Sequence, residues 1–111
     1  MEINATQLKR CELVKVSGRL DSNTAPEFEQ ALRSAMDRGG HRLVVDLSGV
    51  EFLGSAAIRV LVMAVKECRR RNRGDLRLAS VPPRVQHVLD LAGITPLLKT
   101  YEDDVQAVGS F

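Results

Sequence analysis

The sequence of 111 residues has few aromatic side chains: no tryptophan, one tyrosine and three phenylalanines. A protein that stacks bases needs a platform of aromatic side chains, and an aromatic fraction of 4% provides none. Cysteine is also scarce, since Cys11 and Cys68 stand far apart without a CxxC motif. This spacing indicates neither a zinc site nor a disulfide framework. We therefore expect two buried thiols that pack as small hydrophobic groups.

The sequence also lacks a large excess of one charge and lacks long apolar runs. The 16 basic and 14 acidic residues leave a net charge of +2, which gives the whole chain no electrostatic preference for nucleic acid or an anionic membrane. No apolar run approaches the roughly 18 residues of a membrane span, and Met1 leads into a charged segment without a signal-peptide pattern. We expect one domain, residues 1–111, in the cytoplasm and without membrane insertion.

The motifs of the common catalytic sites are absent too. His41 and His87 have no partner at metal-ligand spacing, and neither GxGxxG nor GxxxxGK[ST] occurs. Ser55 follows Gly54 but lacks the second glycine of the GxSxG nucleophile motif. The sequence predicts no enzyme, no catalytic residue, no cofactor and no metal site.

Hydrophobic periodicity predicts an N-terminal hairpin, 1–8 and 12–17, with a turn at Lys9 and Arg10. Thr24 and Glu27 form a capping-box pattern for the first helix, which the glycines at 39–40 end. The predicted elements that follow are a strand at 42–47 with a turn at 48–49, a helix at 55–71, a strand at 76–79, a helix from 82 to 92, an edge strand or connector at 97–101, and a final helix after 102–104. This order predicts an α/β domain with a mixed, mostly parallel sheet, the hairpin and about four helices.

The predicted helix at 55–71 has a clear apolar face at about 100° per residue. The residues expected in the core are Ala57, Val60, Leu61, Ala64, Val65 and Cys68. Arg59, Lys66 and Arg70 form a polar stripe, with Val62 and Met63 on either side of it. These two apolar residues are either candidates for contact with another protein or isolated surface side chains of the ordinary kind.

Ser55 stands where the N-cap of this helix is expected. The amide groups and dipole of a helix N-terminus favour a phosphate there, and its charge of about −2 would change partner preference without unfolding the chain. The alternative is an ordinary capping serine.

Three segments together resemble the STAS domain family: GRLD at 18–21, VVDLSGVEFLGS at 44–55 and AGI at 92–94. The resemblance covers essentially the whole chain. The freestanding length is similar in particular to the bacterial anti-sigma-factor antagonists. It implies a STAS-like fold and a partner-switching role. Unphosphorylated, such proteins bind an anti-sigma factor that is also a serine kinase; phosphorylation releases it, and a PP2C-type phosphatase restores binding.

The resemblance also assigns site residues. Ser55 matches the phosphorylated serine, although the usual run Asp-Ser-Ser-Gly is here Gly54-Ser55-Ala56-Ala57. The loop at 21–24 matches the segment that lies beside that serine. With the neighbouring helix positions, the expected partner-contact residues are Asp21, Ser22, Asn23, Thr24, Gly54, Ser55, Ala56, Arg59, Val62 and Met63.

Two other functions stay open at this point. A STAS adaptor that docks permanently in a signalling or lipid-transport complex would tolerate the altered Gly54 and Ala57. An aspartyl-phosphate receiver or small enzyme would use Asp46, but the loop before the first helix supplies only Asp21 where a receiver needs an acidic pair for Mg²⁺. Asp46 is otherwise expected to cap the turn after its strand.

Overall fold

A computed structural model describes residues 1–38 and 40–111. It confirms the predicted α/β class and the alternation of strands and helices. The elements are β1 (Glu2–Gln7), β2 (Glu12–Leu20), α1 (Ala25–Gly39), β3 (Arg42–Leu53), α2 (Ser55–Arg69), β4 (Asp75–Ala79), α3 (Pro83–Leu91), a short 3-10 turn (Thr95–Leu97), β5 (Lys99–Tyr101) and α4 (Asp104–Gly109). Gly40 ends α1 with a left-handed φ of 65°, as expected of a glycine after a helix, whereas Gly39 lies outside the described residues.

The five strands form one sheet in the order β1-β2-β3-β4-β5. The pair β1–β2 is antiparallel, which confirms the hairpin, and all other pairs are parallel. The segment after Pro96 contributes the edge strand β5 rather than only a connector. All parallel strands therefore begin at one end of the domain, where α1 and α2 finish.

The turn predicted at Ser48 and Gly49 is wrong, because β3 continues to Leu53. Beyond Gly18, β2 also continues and pairs with this extension, with two shifts of register on the way. Gly49 is required by the close approach of the two strands: a Cβ there would lie 2.7 Å from the Cβ of Ser17. The glycine thus serves strand pairing, and it does not reverse the chain.

The main core lies between one face of the sheet and the helices α1, α2 and α3. Every core position predicted on α2 is buried, while Arg59, Lys66 and Arg70 are exposed as predicted. The short helix α4 covers part of the other sheet face over a small cluster that includes Cys11, Val44 and Ala107. Within the described residues, no helix combines the length and apolar character that crossing a membrane requires.

Two large apolar side chains of the short helices lie at the surface. Leu91 is 75% exposed and Val105 is 81% exposed. Leu91 is the last residue of α3 and stands about 200° around the helix from the buried Leu89, so the two cannot face the core together. Helix α4 has six residues and buries Ala107, which turns Val105 outward.

Both cysteines are buried as free thiols, as predicted. Burial raises the pKa of Cys68 to about 12 and also raises the pKa of Cys11. We expect neither thiol to react with iodoacetamide at about pH 8 in the folded protein, because the reactive thiolate is suppressed and access is blocked. Mass spectrometry should find two alkylated residues only after denaturation; alkylation of the native protein would contradict the packing.

Candidate functional site at the start of helix α2

A groove of about 480 Å³ lies between the N-terminal halves of α1 and α2. It forms because β2 and β3 end side by side, with the amide of Gly54 donating to the carbonyl of Leu20 at 2.8 Å. The two helices that follow these strands therefore start next to each other. The groove is lined by Ser22, Ala25, Pro26, Glu29, Ala56, Arg59, Val60 and Met63.

Four predicted contact residues share this groove: Ser22, Ala56, Arg59 and Met63. The other predicted positions in 21–24 and 54–55 adjoin them in the chain. Val62 is not among the described lining residues, because it falls on the opposite side of the exposed stripe of α2 from Met63. The structure therefore gathers both predicted segments and leaves Val62 apart.

Ser55 is the first residue of α2, and the prediction that it is the N-cap is wrong. The cap is Gly54, whose extended backbone (φ −93°, ψ 173°) leads into the helix. A side chain at position 54 would be crowded, since a Cβ would lie 3.1 Å from the ring of Phe52 and 3.4 Å from the carbonyl oxygen of Leu20. The exposed hydroxyl of Ser55 makes no hydrogen bond with any described residue, so it is not used as a cap for α2.

The loop at 21–24 is held by internal hydrogen bonds. A carboxylate oxygen of Asp21 accepts from the amides of Asn23 (3.0 Å) and Thr24 (3.2 Å). The Thr24 hydroxyl donates to the carbonyl of Arg19 at 2.9 Å and accepts from the amide of Asp21 at 3.0 Å. The predicted capping box is therefore wrong, because the hydroxyl of Thr24 turns back into the loop and does not cap α1. This wall of the groove is preformed.

The charge of Asp21 should make the stability of this loop depend on pH. Burial alone would raise the pKa of Asp21, but hydrogen bonds from Thr24 and Asn23 and the charge of Arg19 outweigh it and lower the pKa. A folded-state pKa below the unfolded one means that the carboxylate contributes stability above the unfolded pKa and loses it as pH falls through the folded pKa.

We expect Asp21→Asn, which keeps an acceptor oxygen but removes the charge, to be less stable than the wild type at about pH 7. The difference should shrink steadily below about pH 4. Urea unfolding of both proteins across this range measures it. A difference that does not change with pH would contradict the role assigned to the charge.

Two residues at this site were missed in the sequence because they lie in segments to which neither a strand nor a helix was assigned. Phe52 is 41% exposed, and the guanidinium of Arg19 lies 4.4 Å from the centre of its ring. The same guanidinium is 3.9 Å from the carboxylate of Asp21. An exposed aromatic ring beside a cation, two residues before the N-cap of α2, extends the site beyond the groove.

Asp46 does not lie at the end of a strand, as a receiver would require. Asp46 is 5% exposed and lies within β3. Its carboxylate accepts a hydrogen bond from the amide of Ser48 at 2.8 Å, but this bond lies within the strand and does not cap a turn. Burial alone would raise the pKa of Asp46, but the neighbouring Asp104 carboxyl group and the hydrogen bond from the amide of Ser48 outweigh it and lower the pKa. The pKa of Asp104 is raised by burial and by the charge of Asp46. Across the described part of the chain, no three His, Cys, Asp or Glu side chains are grouped to hold a metal ion.

Three known proteins that are similar to this chain all carry the name anti-sigma-factor antagonist. The anti-sigma-B factor antagonist of Staphylococcus epidermidis is 29% identical over 89 residues, which are 80% of this chain and 82% of that protein. The anti-sigma F factor antagonist of Paenibacillus polymyxa is 25% identical over 97 residues, covering 86% and 82%. The solved structure of an anti-sigma-factor antagonist (STAS) domain protein from Planctomyces limnophilus superimposes with a TM-score of 0.86 at 25% identity, covering 97% of this chain and 95% of that one.

The resemblance seen in the sequence motifs is confirmed over nearly the whole chain. The sequence pattern of the STAS domain matches residues 2–107, from the first strand to the last helix. The protein therefore belongs to the STAS domain family.

Proposed function

We propose that this STAS domain is an anti-sigma-factor antagonist whose binding is switched at Ser55. The observation that carries the proposal is the exposed, uncommitted hydroxyl of Ser55 at the first position of α2, beside the groove. The names of the relatives in Staphylococcus and Paenibacillus support the general role. The partner is an anti-sigma factor with serine kinase activity that binds while Ser55 is unphosphorylated.

The physical basis of the switch is a change of charge on a surface that remains folded. A phosphate on Ser55 would lie at the positive end of the α2 dipole, near amide groups that have no partner within the helix. It would add a charge of about −2 beside apolar groove residues such as Ala56 and Met63. A partner fitted to the hydroxyl would then have to desolvate a dianion, so it would be released.

The proposed cycle of phosphorylation and release also needs a step that restores binding. A PP2C-type phosphatase removes the phosphate, and the exchange of partners takes place in the cytoplasm. The chain itself acts by binding and not by catalysis, without a cofactor. The proposed contact surface consists of Asp21, Ser22, Asn23, Thr24, Gly54, Ser55, Ala56, Arg59, Val62 and Met63. We add Arg19 and Phe52 to this proposal because the two side chains contact each other beside the loop at 21–24.

Affinity capture from cells of the source organism tests the binding role with two variants of one helix. Arg59→Glu changes a groove residue, whereas Lys66→Glu makes the same charge change on an exposed part of α2 outside the groove. Mass spectrometry should find an anti-sigma factor with the wild type and with Lys66→Glu. Arg59→Glu should capture about tenfold less, equivalent to about 1.4 kcal/mol. A wild type that captures a stable complex without any anti-sigma factor would instead favour the permanent adaptor.

A further inference from the structure

A second surface lies at the other end of β3 from Ser55, where the parallel strands begin. Two adjoining depressions of about 280 and 350 Å³ share Arg42 and together form a basic groove. Its cationic lining residues are Lys9, Arg10, Arg38, Arg42, Arg73 and Arg77. None of the described residues that line either depression is acidic.

The fold separates charge between its two ends. The basic residues at the end where the parallel strands begin are Lys9, Arg10, Arg38, Arg42, Arg69, Arg70, Arg71, Arg73, Arg77 and Lys99, and the acidic ones are Glu12, Asp37, Glu67 and Asp75. These ten cations and four anions give this end a charge of +6. The other six basic and ten acidic residues carry −4, so the overall charge of +2 conceals a strongly polarised molecule.

Several of the groove cations are not neutralised internally. Arg38 pairs with Glu12 and Arg77 with Asp75, each at 3.0 Å. Within the described residues, however, Lys9, Arg42 and Arg73 have no carboxylate within 4.0 Å. Their charges therefore remain available to a ligand.

The backbone at Arg73 adds a second observation. Its φ of 62° is left-handed, a conformation that glycine or asparagine adopts at less cost than arginine. The neighbouring Gly74 packs so closely that a Cβ there would lie 2.0 Å from the carbonyl oxygen of Cys68. The turn therefore holds the side chain of Arg73 beside the groove, although its left-handed backbone would favour glycine or asparagine at this position.

We propose that the basic groove binds an acidic, extended segment of a partner polypeptide. Five of its six cations are arginines, whose planar guanidinium groups match carboxylates in paired hydrogen bonds. A concave groove admits a single extended chain. Among the described lining residues the only aromatic side chain is Phe111, and the guanidinium of Arg77 lies 4.1 Å from the centre of that ring. The groove therefore lacks a free surface for stacking bases, and this favours polypeptide over nucleic acid.

Fluorescence anisotropy with a fluorescein-labelled peptide of about eight glutamates tests the proposal on the full chain. The double variant Arg42→Gln, Arg73→Asn removes two unpaired charges, and asparagine suits the left-handed backbone, so folding should be preserved. The matched control Arg33→Gln, Lys66→Gln removes the same charge from α1 and α2 outside the groove. Circular dichroism verifies the fold of both.

We expect salt-sensitive binding by the wild type, about tenfold weaker binding by the groove variant, and a change of less than about twofold in the control. Absence of binding at low salt would overturn the proposal, as would equal weakening in both double variants. Single-stranded DNA of equal charge and phosphatidylserine vesicles are the competing ligands. If either binds more tightly than the peptide and depends on Arg42 and Arg73, the polypeptide assignment is wrong.

Discussion

Ser55→Asp is expected to weaken binding of the captured anti-sigma factor by about 100-fold, or roughly 2.7 kcal/mol, without loss of folding. A carboxylate at the first position of α2 is favourable for the helix, by about 0.3–1 kcal/mol, because it faces the positive end of the dipole. The same charge would have to be desolvated when the partner covers the groove. Isothermal titration calorimetry gives the affinity and thermal unfolding gives the stability.

Two controls separate the position of the charge from its presence. Ser55→Ala removes the hydroxyl without adding charge and should bind within about threefold of the wild type, since one exposed hydroxyl contributes little. Gln106→Glu adds one negative charge at an exposed position of α4, on the other side of the sheet, and should bind normally. Equal affinity of Ser55→Asp and the wild type would rule out a switch at this residue.

Leu89→Ala should destabilise the protein by about 2–5 kcal/mol. Leu89 is 1% exposed and joins α3 to the main core, so truncation loses apolar burial and leaves a cavity. Losses of this size are a large part of the total stability of a small domain. Urea denaturation monitored by circular dichroism measures the free energy of unfolding.

Leu91→Ala provides the matched control for this prediction. It makes the same chemical change two residues later in the same helix, but Leu91 is 75% exposed. We expect an effect within about 0.5 kcal/mol, as is usual for surface substitutions. A large loss in Leu91→Ala, or none in Leu89→Ala, would show that α3 is rotated relative to the described structure.

The features that the sequence predicts well are those set by local patterns. The apolar period of α2 is long enough to identify all six of its buried residues, and the hairpin has a polar turn between two alternating strands. The loop at 21–24 and the start of α2 come together because both follow neighbouring strands in a regular sheet. Most of the predicted contact surface is therefore implied by the order of the elements.

The features that were missed depend on contacts that the local sequence pattern does not specify. Gly49 is typical of a turn when only its neighbours are considered, but its close packing against Ser17 makes it part of a strand. Thr24 has a partner for a capping box in Glu27, yet its hydroxyl bonds to Arg19, five residues back. Phe52 gains its position beside Gly54 only because β3 is longer than its local pattern indicates.

The basic groove illustrates the same limit for electrostatics. Its cations come from the β1–β2 turn, the end of α1, the start of β3, the middle of β4, and the loop after α2. A net charge of +2 and a run of arginines after α2 do not reveal that these segments converge. Only the topology of the sheet, which places the start of every parallel strand at one end, brings the charges together.

The most direct test of the switch compares the purified protein with and without phosphoserine incorporated at position 55. Its affinity for the captured anti-sigma factor is measured by calorimetry in both forms. The account predicts tight binding by the unphosphorylated protein and binding weaker by about 100-fold or more after phosphorylation, with the same circular dichroism spectrum. Equal affinity of the two forms would contradict it.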